Sequence, residues 1–421
     1  MKTIVRNRNV FILITGQIIS LFGSAIQRFA LSLYLLDLTG SASIFATILA
    51  LSMIPIVIFA PIAGMIADRA DKRKVMIGLD LVSALVIVGY LAIVLTGQDE
   101  AFIVAGVMMV LSAVSTIYQA TVTASLPALV DETELLATNG LVYQVSSLAN
   151  FLGPILAGVL YGLFGIKVIL LMNAISFFAS ALLECALKIP HTRQLKKQGI
   201  VRLFREDMQA SYQYLRSKNP IVLRMIMTAG LFNLFMVPLF SVGAPYIIKI
   251  TLGLSSQVYG IVEGVIALGM IIGAFCISFR PRLLAVTQVH RLLYGISLAM
   301  VLMGGSLLLV DYGVPVVFSL LIFMVGGMAI MFILGVANVI TNTYVQLQTE
   351  REMLGKISAF GAAFATVCIP FGQLLFGGGL EKFSNQIPLL ISVFALATFC
   401  VTLLVRHNSR AILQLKTKKQ T

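Results

Sequence analysis

Apolar runs of about twenty residues or more recur along this chain, separated by short stretches of charged and turn residues. A helix crosses the ~30 Å hydrocarbon core of a bilayer with about 20 apolar residues, and it satisfies its own backbone N–H and C=O groups while doing so. A membrane barrel would need short strands of alternating polarity, and these runs do not alternate. Of the 421 residues, 59% are hydrophobic and 11% are charged, with a mean hydropathy of +1.00. A soluble domain carries roughly a quarter charged residues. A chain so poor in charge cannot cover its surface in water, which excludes a soluble enzyme of two or three domains; the apolar surplus excludes disorder. The sequence describes a helical integral membrane protein.

Reading the apolar runs between charge and turn residues predicts twelve spans, at 10–36, 43–67, 75–96, 101–126, 138–162, 165–187, 221–248, 255–279, 289–310, 315–342, 355–378 and 384–405. The first is too long for a signal-peptide core and lacks a cleavage site, so it is expected to stay as a helix. The net charge of +13 sorts by topology rather than pointing to nucleic acid. The N-terminus, the 68–74 loop, the 188–224 region, the two later even-numbered connections and the tail together carry 26 of the 30 basic residues. Lys167, Lys249 and Lys382 stand on the other side, and Arg28 lies within a span. Positive residues accumulate on the cytoplasmic side, so both termini and the central loop are expected there, in a multi-pass protein of the cell inner (plasma) membrane. Cys185, Cys276, Cys368 and Cys400 all fall in apolar runs without CxxC spacing and read as small buried hydrophobes.

The central loop divides the chain into a first bundle (1–187), a linker (188–220), a second bundle (221–405) and a tail (406–421). Within the linker, 201–216 places Phe204, Met208, Ser211, Tyr212 and Leu215 on one helical face, as an amphipathic helix on the membrane surface would. Its simplest role is a tether between bundles. The halves also echo each other: Gly16 matches Gly230, Ser41 matches Ser255, Phe45 matches Tyr259, Glu134 matches Glu350, Pro154 matches Pro370 and Gly162 matches Gly378. Repeated halves are a transporter architecture, with substrate bound at mid-membrane where they meet.

After span 2 comes Gly64-Met-Ile-Ala-Asp68-Arg69-Ala-Asp71-Lys72-Arg73-Lys74. This resembles the loop between helices 2 and 3 that marks the major facilitator superfamily, G-x-x-x-D-R-x-x-x-R-K, although the family usually has a glycine near Asp71. Span 5 carries Gly153-Pro154 within Ala149-Asn-Phe-Leu-Gly153-Pro154-Ile-Leu-Ala157-Gly158, similar to a motif of the family's drug exporters with alanine at two glycine positions. Leu38-Thr-Gly-Ser41, Met76-Ile-Gly-Leu-Asp80 and Tyr214-Leu-Arg-Ser-Lys-Asn-Pro220 resemble its bacterial macrolide-efflux-like branch of drug:proton antiporters. The resemblance implies an all-α membrane protein with twelve transmembrane helices in two pseudo-symmetric six-helix bundles, the major facilitator fold. It also implies a conformational latch at Gly64, Asp68, Arg69, Arg73 and Asp80, with Asp68 meeting the start of helix 11 near Gly355 and Lys356, and a helix-5 kink at Gly153 and Pro154. Physically, Gly64 would let a helix approach closely and Asp68 would favour a helix N-terminus. Span 4 lacks the arginine that many proton-coupled members carry there, so antiport by that residue does not carry over.

Two polar stripes lie on apolar helices: Gln17, Ser20, Ser24, Gln27 and Arg28 in span 1, and Ser112, Thr116, Gln119 and Thr123 in span 4. Lipid penalises such stripes, so they face protein or a substrate cavity; interhelical hydrogen bonding and backbone bonds from Ser and Thr are the alternative. Asn233 and Asn338 add to the cavity set more thinly. Arg28 and Glu263 are full charges roughly 12 Å below the outer surface, and they are expected to pair or to share a polar cavity. Glu263 is the proton-coupling candidate; a fixed structural salt bridge is the alternative. Asp80 is expected to pair with a base of the 69–74 loop, and Glu184 with Lys188.

The function expected is secondary transport by alternating access: proton-coupled efflux of lipophilic or amphipathic small molecules of drug or macrolide type, by a monomer that needs no cofactor, metal or nucleic acid. Export of a siderophore, metal chelate or lysolipid is the alternative within transport. An intramembrane enzyme is the alternative outside it, and no H-E-x-x-H, G-x-S-x-G or intramembrane Asp pair supports that.

Overall fold

A computed structural model describes residues 8–190, 200–279 and 286–420. Its spanning helices are α1 (Arg8–Thr39), α2 (Ala42–Arg69), α3 (Lys72–Thr96), α4 (Ala101–Ser125), α5 (132–164) and α6 (166–184), then α8 (Pro220–Thr251), α9 (Ser256–Phe279), α10 (Val289–Asp311), α11 (Val316–Gln348), α12 (Arg351–Lys382) and α13 (Ile387–Gln420). Helix α7 (Ile200–Lys218) lies in the central loop. Eleven helical runs among the described residues are long and apolar enough to cross a membrane. One of them, the 48-residue Ala137–Glu184, is two crossings broken at Gly165, whose φ of 70° and ψ of −178° no helix accommodates. The chain is therefore an all-α membrane protein of twelve spans in two six-helix bundles. Several helices outrun their predicted apolar limits; α11 continues to Gln348 and α12 begins at Arg351.

The helix ends show why breaks fall where they do. Asp71 caps α3: its carboxylate accepts from the Lys74 backbone N–H at 3.3 Å. That explains an aspartate where the resemblance leads one to expect glycine. Gly97 closes the same helix at φ 71°, a left-handed turn that glycine enters without steric cost. Ser41 and Ser255, matched in the sequence repeat, cap alike. The hydroxyl of Ser41 accepts from Ile44 N–H at 3.2 Å, and that of Ser255 accepts from Val258 N–H at 3.4 Å.

The helices form two compact units. Unit 1 holds residues 1–40, 51–204 and 255–261; unit 2 holds 41–50, 205–254 and 262–421. Thus α2 starts in unit 2 and α9 starts in unit 1. Within unit 2, a side chain at Gly377 would collide with Ala46, and Ser41 Oγ donates to Glu381 Oε2 at 3.0 Å. Within unit 1, a Cβ on Gly158 would stand 2.6 Å from Gly260 Cα, and the Phe29 and Tyr259 rings stack at 5.2 Å.

Unit 1 packs Val10, Leu13, Met76, Tyr118, Val122, Leu126 and Leu187 into one core. In unit 2 α9 and α11 touch backbone to backbone: side chains at Gly269, Gly273 and Gly335 would strike the carbonyls of Met328, Phe332 and Met270. Helix α7 docks on unit 2 through fully buried Leu215 and Ser211, beside Val222, Ile226 and Ile357. Its Phe204 and Tyr212 stay exposed. The cysteines correct the sequence expectation: Cys185, Cys276 and Cys400 are exposed and Cys368 is half-buried. Cys276 and Cys400 lie within apolar helices with their side chains exposed, Cys185 follows the last residue of α6, and the Cys368 sulfur faces Gly230 of α8.

Candidate functional site

In unit 1 the polar stripe of α1 turns inward. Gln17 is fully buried, and Gln27 is buried with its Oε1 accepting from Asn173 Nδ2 of α6. Asn173 Oδ1 in turn accepts from Ser176 Oγ at 3.0 Å, and this amide patch lies against Gly23, where a Cβ would intrude to 2.5 Å. Ser24 is half-buried. Arg28 differs from its neighbours. It keeps exposed surface twenty residues into α1, and its Nη2 donates to Asn150 Oδ1 of α5 at 3.1 Å. On α4, Ser112, Thr116 and Gln119 are half-buried and Thr123 is exposed. Thr116 and Thr123 give their protons to the carbonyls of Ser112 and Gln119, at 2.8 and 3.0 Å, which leaves their oxygens free to accept.

In unit 2, Asn233 Nδ2 donates to the Ala365 carbonyl at 3.2 Å, so that amide joins α8 to α12. Asn338 is exposed on α11. Glu263, on α9, is half-buried, with Oε2 shielded from solvent and without a hydrogen-bond partner. A carboxylate left so is costly, which makes this the oxygen on which an incoming proton or cationic group would gain most.

Residues 13–372 match the model of the Major Facilitator Superfamily. The chain belongs to that family. Macrolide efflux protein A of Streptococcus pyogenes is 25% identical over 374 residues, 86% of each chain. The protein of the same name from Enterococcus faecalis is 24% identical over 347 residues, covering 79% of this chain and 99% of that one. Among solved structures, a bacterial homologue of the iron transporter ferroportin in an inward-facing state shares the fold at a TM-score of 0.73 with 17% identity, over 96% and 98% of the two chains. As a superfamily member, the protein is a membrane transporter.

The superfamily loop looks different in three dimensions from what its spacing implies. Asp68 has a side chain outside the described residues. Gly64 is exposed, and a Cβ there would meet nothing within 4 Å; the close helix approach expected at this glycine is absent among the described residues. Arg69 is half-buried at the end of α2. Arg73 reaches inward, its Nη2 donating to the Cys185 carbonyl at the end of α6. Asp80 pairs with none of the loop's bases. It is buried in unit 1 and accepts from Ser20 Oγ at 3.3 Å. Glu184 does not pair with Lys188 either; its Oε1 accepts from Tyr118 at 2.6 Å. Both corrections have one cause: helix packing turns these carboxyls into the bundle, whereas sequence spacing had paired them along the chain. In α5, Gly153 sits against α1, its would-be Cβ 2.6 Å from Ala25 Cβ. Backbone angles stay helical through Pro154, and the non-helical residue of the run is Gly165.

Asn150 and Asn173, the partners of Arg28 and Gln27, escaped the sequence reading. The rule that singled out the glutamines, a primary amide inside an apolar span, applies equally to both.

Proposed function

We propose that this transporter exports lipophilic or amphipathic small molecules by alternating access and that protons drive the export. The observation that carries the reading is Arg28. A guanidinium that far inside a spanning helix needs water or polar partners, and here it is both exposed and held by Asn150. Such a group suits a cavity that opens to water and receives polar parts of a mostly apolar ligand. The efflux direction is supported by the near-full-length likeness to the two macrolide efflux proteins. Glu263 is the coupling candidate in unit 2, with Ser24, Ser112, Thr116, Gln119, Asn233 and Asn338 lining the path, and Gln27 holding α1 to α6 through Asn173. Both termini lie on the cytoplasmic side by the distribution of basic residues, in a protein that works as a monomer.

Everted membrane vesicles test this, with a panel of macrolides, lipophilic cationic dyes, a metal chelate and a lysolipid. The expected result is accumulation of macrolide or dye that collapses with the pH gradient. Accumulation indifferent to the gradient removes proton coupling, and accumulation of the chelate or lysolipid alone removes the drug-type substrate. Glu263→Gln is expected to flatten the pH dependence of flux; unchanged flux at every pH takes Glu263 out of the coupling role.

A further inference from the structure

Apart from the polar stripe, unit 1 holds a second polar cluster, which the sequence reading divided between a latch and a helix end. Asp80 of α3 and Glu184 of α6 are each 1% exposed, and one face of α1 meets both: Ser20 bonds Asp80, and a Cβ on Gly16, one turn earlier, would lie 4.0 Å from Glu184 Oε1. The donors around them can be counted. Tyr118 of α4 gives its proton to Glu184 Oε1 at 2.6 Å, and Ser20 of α1 gives its proton to Asp80 Oδ1 at 3.3 Å. Ser180 of α6 lies within hydrogen-bonding reach of Asp80 as well, and its one proton is divided between that carboxyl and the Gly16 carbonyl at 3.3 Å. The guanidinium of Arg73 goes to the Cys185 carbonyl and pairs with neither carboxyl. Asp80 Oδ2 and Glu184 Oε2 are left buried and unpartnered. The titratable group facing the pair is thus Tyr118 from α4, Arg73 of α3 being turned to the Cys185 carbonyl, while α1 brings Gly16 and Ser20.

Unpaired polar atoms continue along the same helix. Gln17 is 0% exposed, and neither its Oε1 nor its Nε2 has a partner. It stands on α1 between two residues that face the cluster: Gly16, whose added Cβ would lie 3.5 Å from Ser180 Oγ, and Ser20. A primary amide offers two donors and a carbonyl acceptor, and here neither end is satisfied.

We propose that Asp80 and Glu184 together hold one exchangeable proton, at a site inside unit 1 separate from Glu263. Two ionised carboxyls buried together without a cation repel each other and lose their hydration. Two neutral ones would leave the Tyr118 and Ser20 donors on weak acceptors. A single shared proton removes the repulsion and turns one orphaned oxygen into a donor. The inference deepens the proton-coupled reading, on which it rests only for what the proton does in transport.

Infrared difference spectroscopy of the full-length protein in lipid nanodiscs, with hydrogen–deuterium exchange, reads the protonated-carboxyl band without any substrate. In a Glu263→Gln background at neutral pH the band is expected to amount to one carboxyl per protein. It should shift in D2O and vanish when Asp80→Asn and Glu184→Gln are added. Those changes copy the shape of the neutral acids, and size-exclusion profiles check that the variants fold. A band of zero or two equivalents, or one that survives the added changes, overturns the proposal. Failure of the export reading looks different: no vesicle flux, with this band intact.

Discussion

The interiors of the two units are held by different chemistry. Unit 1 buries amides and acids, Gln17, Gln27, Asn173, Asp80 and Glu184, and joins helices by bonds such as that from Asn173 to Gln27. Unit 2 also joins α8 to α12 through the amides of Asn233 and Gln373, but among the described residues it buries no carboxyl as deeply as unit 1 does and brings helices together along glycine seams, Gly269, Gly273 and Gly335 between α9 and α11, and Gly372 of α12 against the Leu234 carbonyl of α8. Many of its buried hydroxyls, such as Thr398, Thr402 and Ser306, are satisfied on their own helix. Lipid tails are as apolar as leucine, so helices in a membrane gain little from hydrophobic burial against each other, and either close contact or hydrogen bonding must hold them. The contrast teaches that two halves sharing a helix plan need not share the forces that hold it. It also puts the two fully buried carboxyls among the described residues, Asp80 and Glu184, in unit 1.

The most severe way to test the contrast is to fill a seam. Gly273→Leu drives a side chain into the Phe332 backbone, which cannot move aside as a side chain would. The expected cost exceeds ~3 kcal/mol, beyond ordinary overpacking, and should appear as loss of monodisperse protein in fluorescence-detected size exclusion. Gly64→Ala is the matched control. Nothing lies within 4 Å of its added methyl, and alanine is the better helix former by about 1 kcal/mol, so the folded yield should hold or rise. If Gly273→Leu behaves like the control, the seam is not what binds α9 to α11.

A milder change probes the polar side of the comparison. Gln27→Leu strands the Asn173 amide in a buried site, and the expected loss is about 1–3 kcal/mol. Replacing both partners, Gln27→Leu with Asn173→Leu, should recover much of it, because no polar atom is then left unpaired. Thermal unfolding of the four proteins of the cycle in detergent gives the coupling directly. A double variant as unstable as the sum of the singles would mean that the pair does not bind α1 to α6.

Much of the fold was legible in the chain because membrane helices announce themselves by length and hydropathy. The crossings followed from apolar runs; the break between spans 5 and 6, expected at 163–164, lies at Gly165, which the sequence makes the first residue of span 6 and which has a φ of 70°. The candidate site was legible only in part. Residues chosen for polarity inside spans were visible one by one, but partners on other helices were not. Sequence spacing paired Glu184 with Lys188, four residues on; packing gave it Tyr118, sixty-six residues away. Asp80 looked like part of the basic loop eight residues earlier, yet its side chain points into the bundle toward Ser20. Helical periodicity says which residues share a face and is silent about what that face meets.

The gentlest test concerns the rim of unit 2, where its ion pairs stand. Asp207 of α7 meets Lys356 at 2.8 Å, with the two side chains 34% and 45% exposed, and Lys218 meets Glu350 at 3.3 Å. The pairs join α7 to the start of α12 and to the turn before it, and make it look electrostatically latched. Exposed pairs contribute about 0–1 kcal/mol, whereas Leu215, wholly buried beside Ile226 and Ile357, belongs to the class whose truncation costs ~2–5 kcal/mol. Asp207→Asn is therefore expected to shift unfolding by less than ~1 kcal/mol, and by less still at high salt, where screening shortens the reach of surface charge. If Asp207→Asn instead released α7, seen as new protease cleavage within 200–218, the dock would be held by charge. The comparison would then have to be redrawn, with unit 2 held by glycine contact in its interior and by electrostatics along the edge that faces the linker.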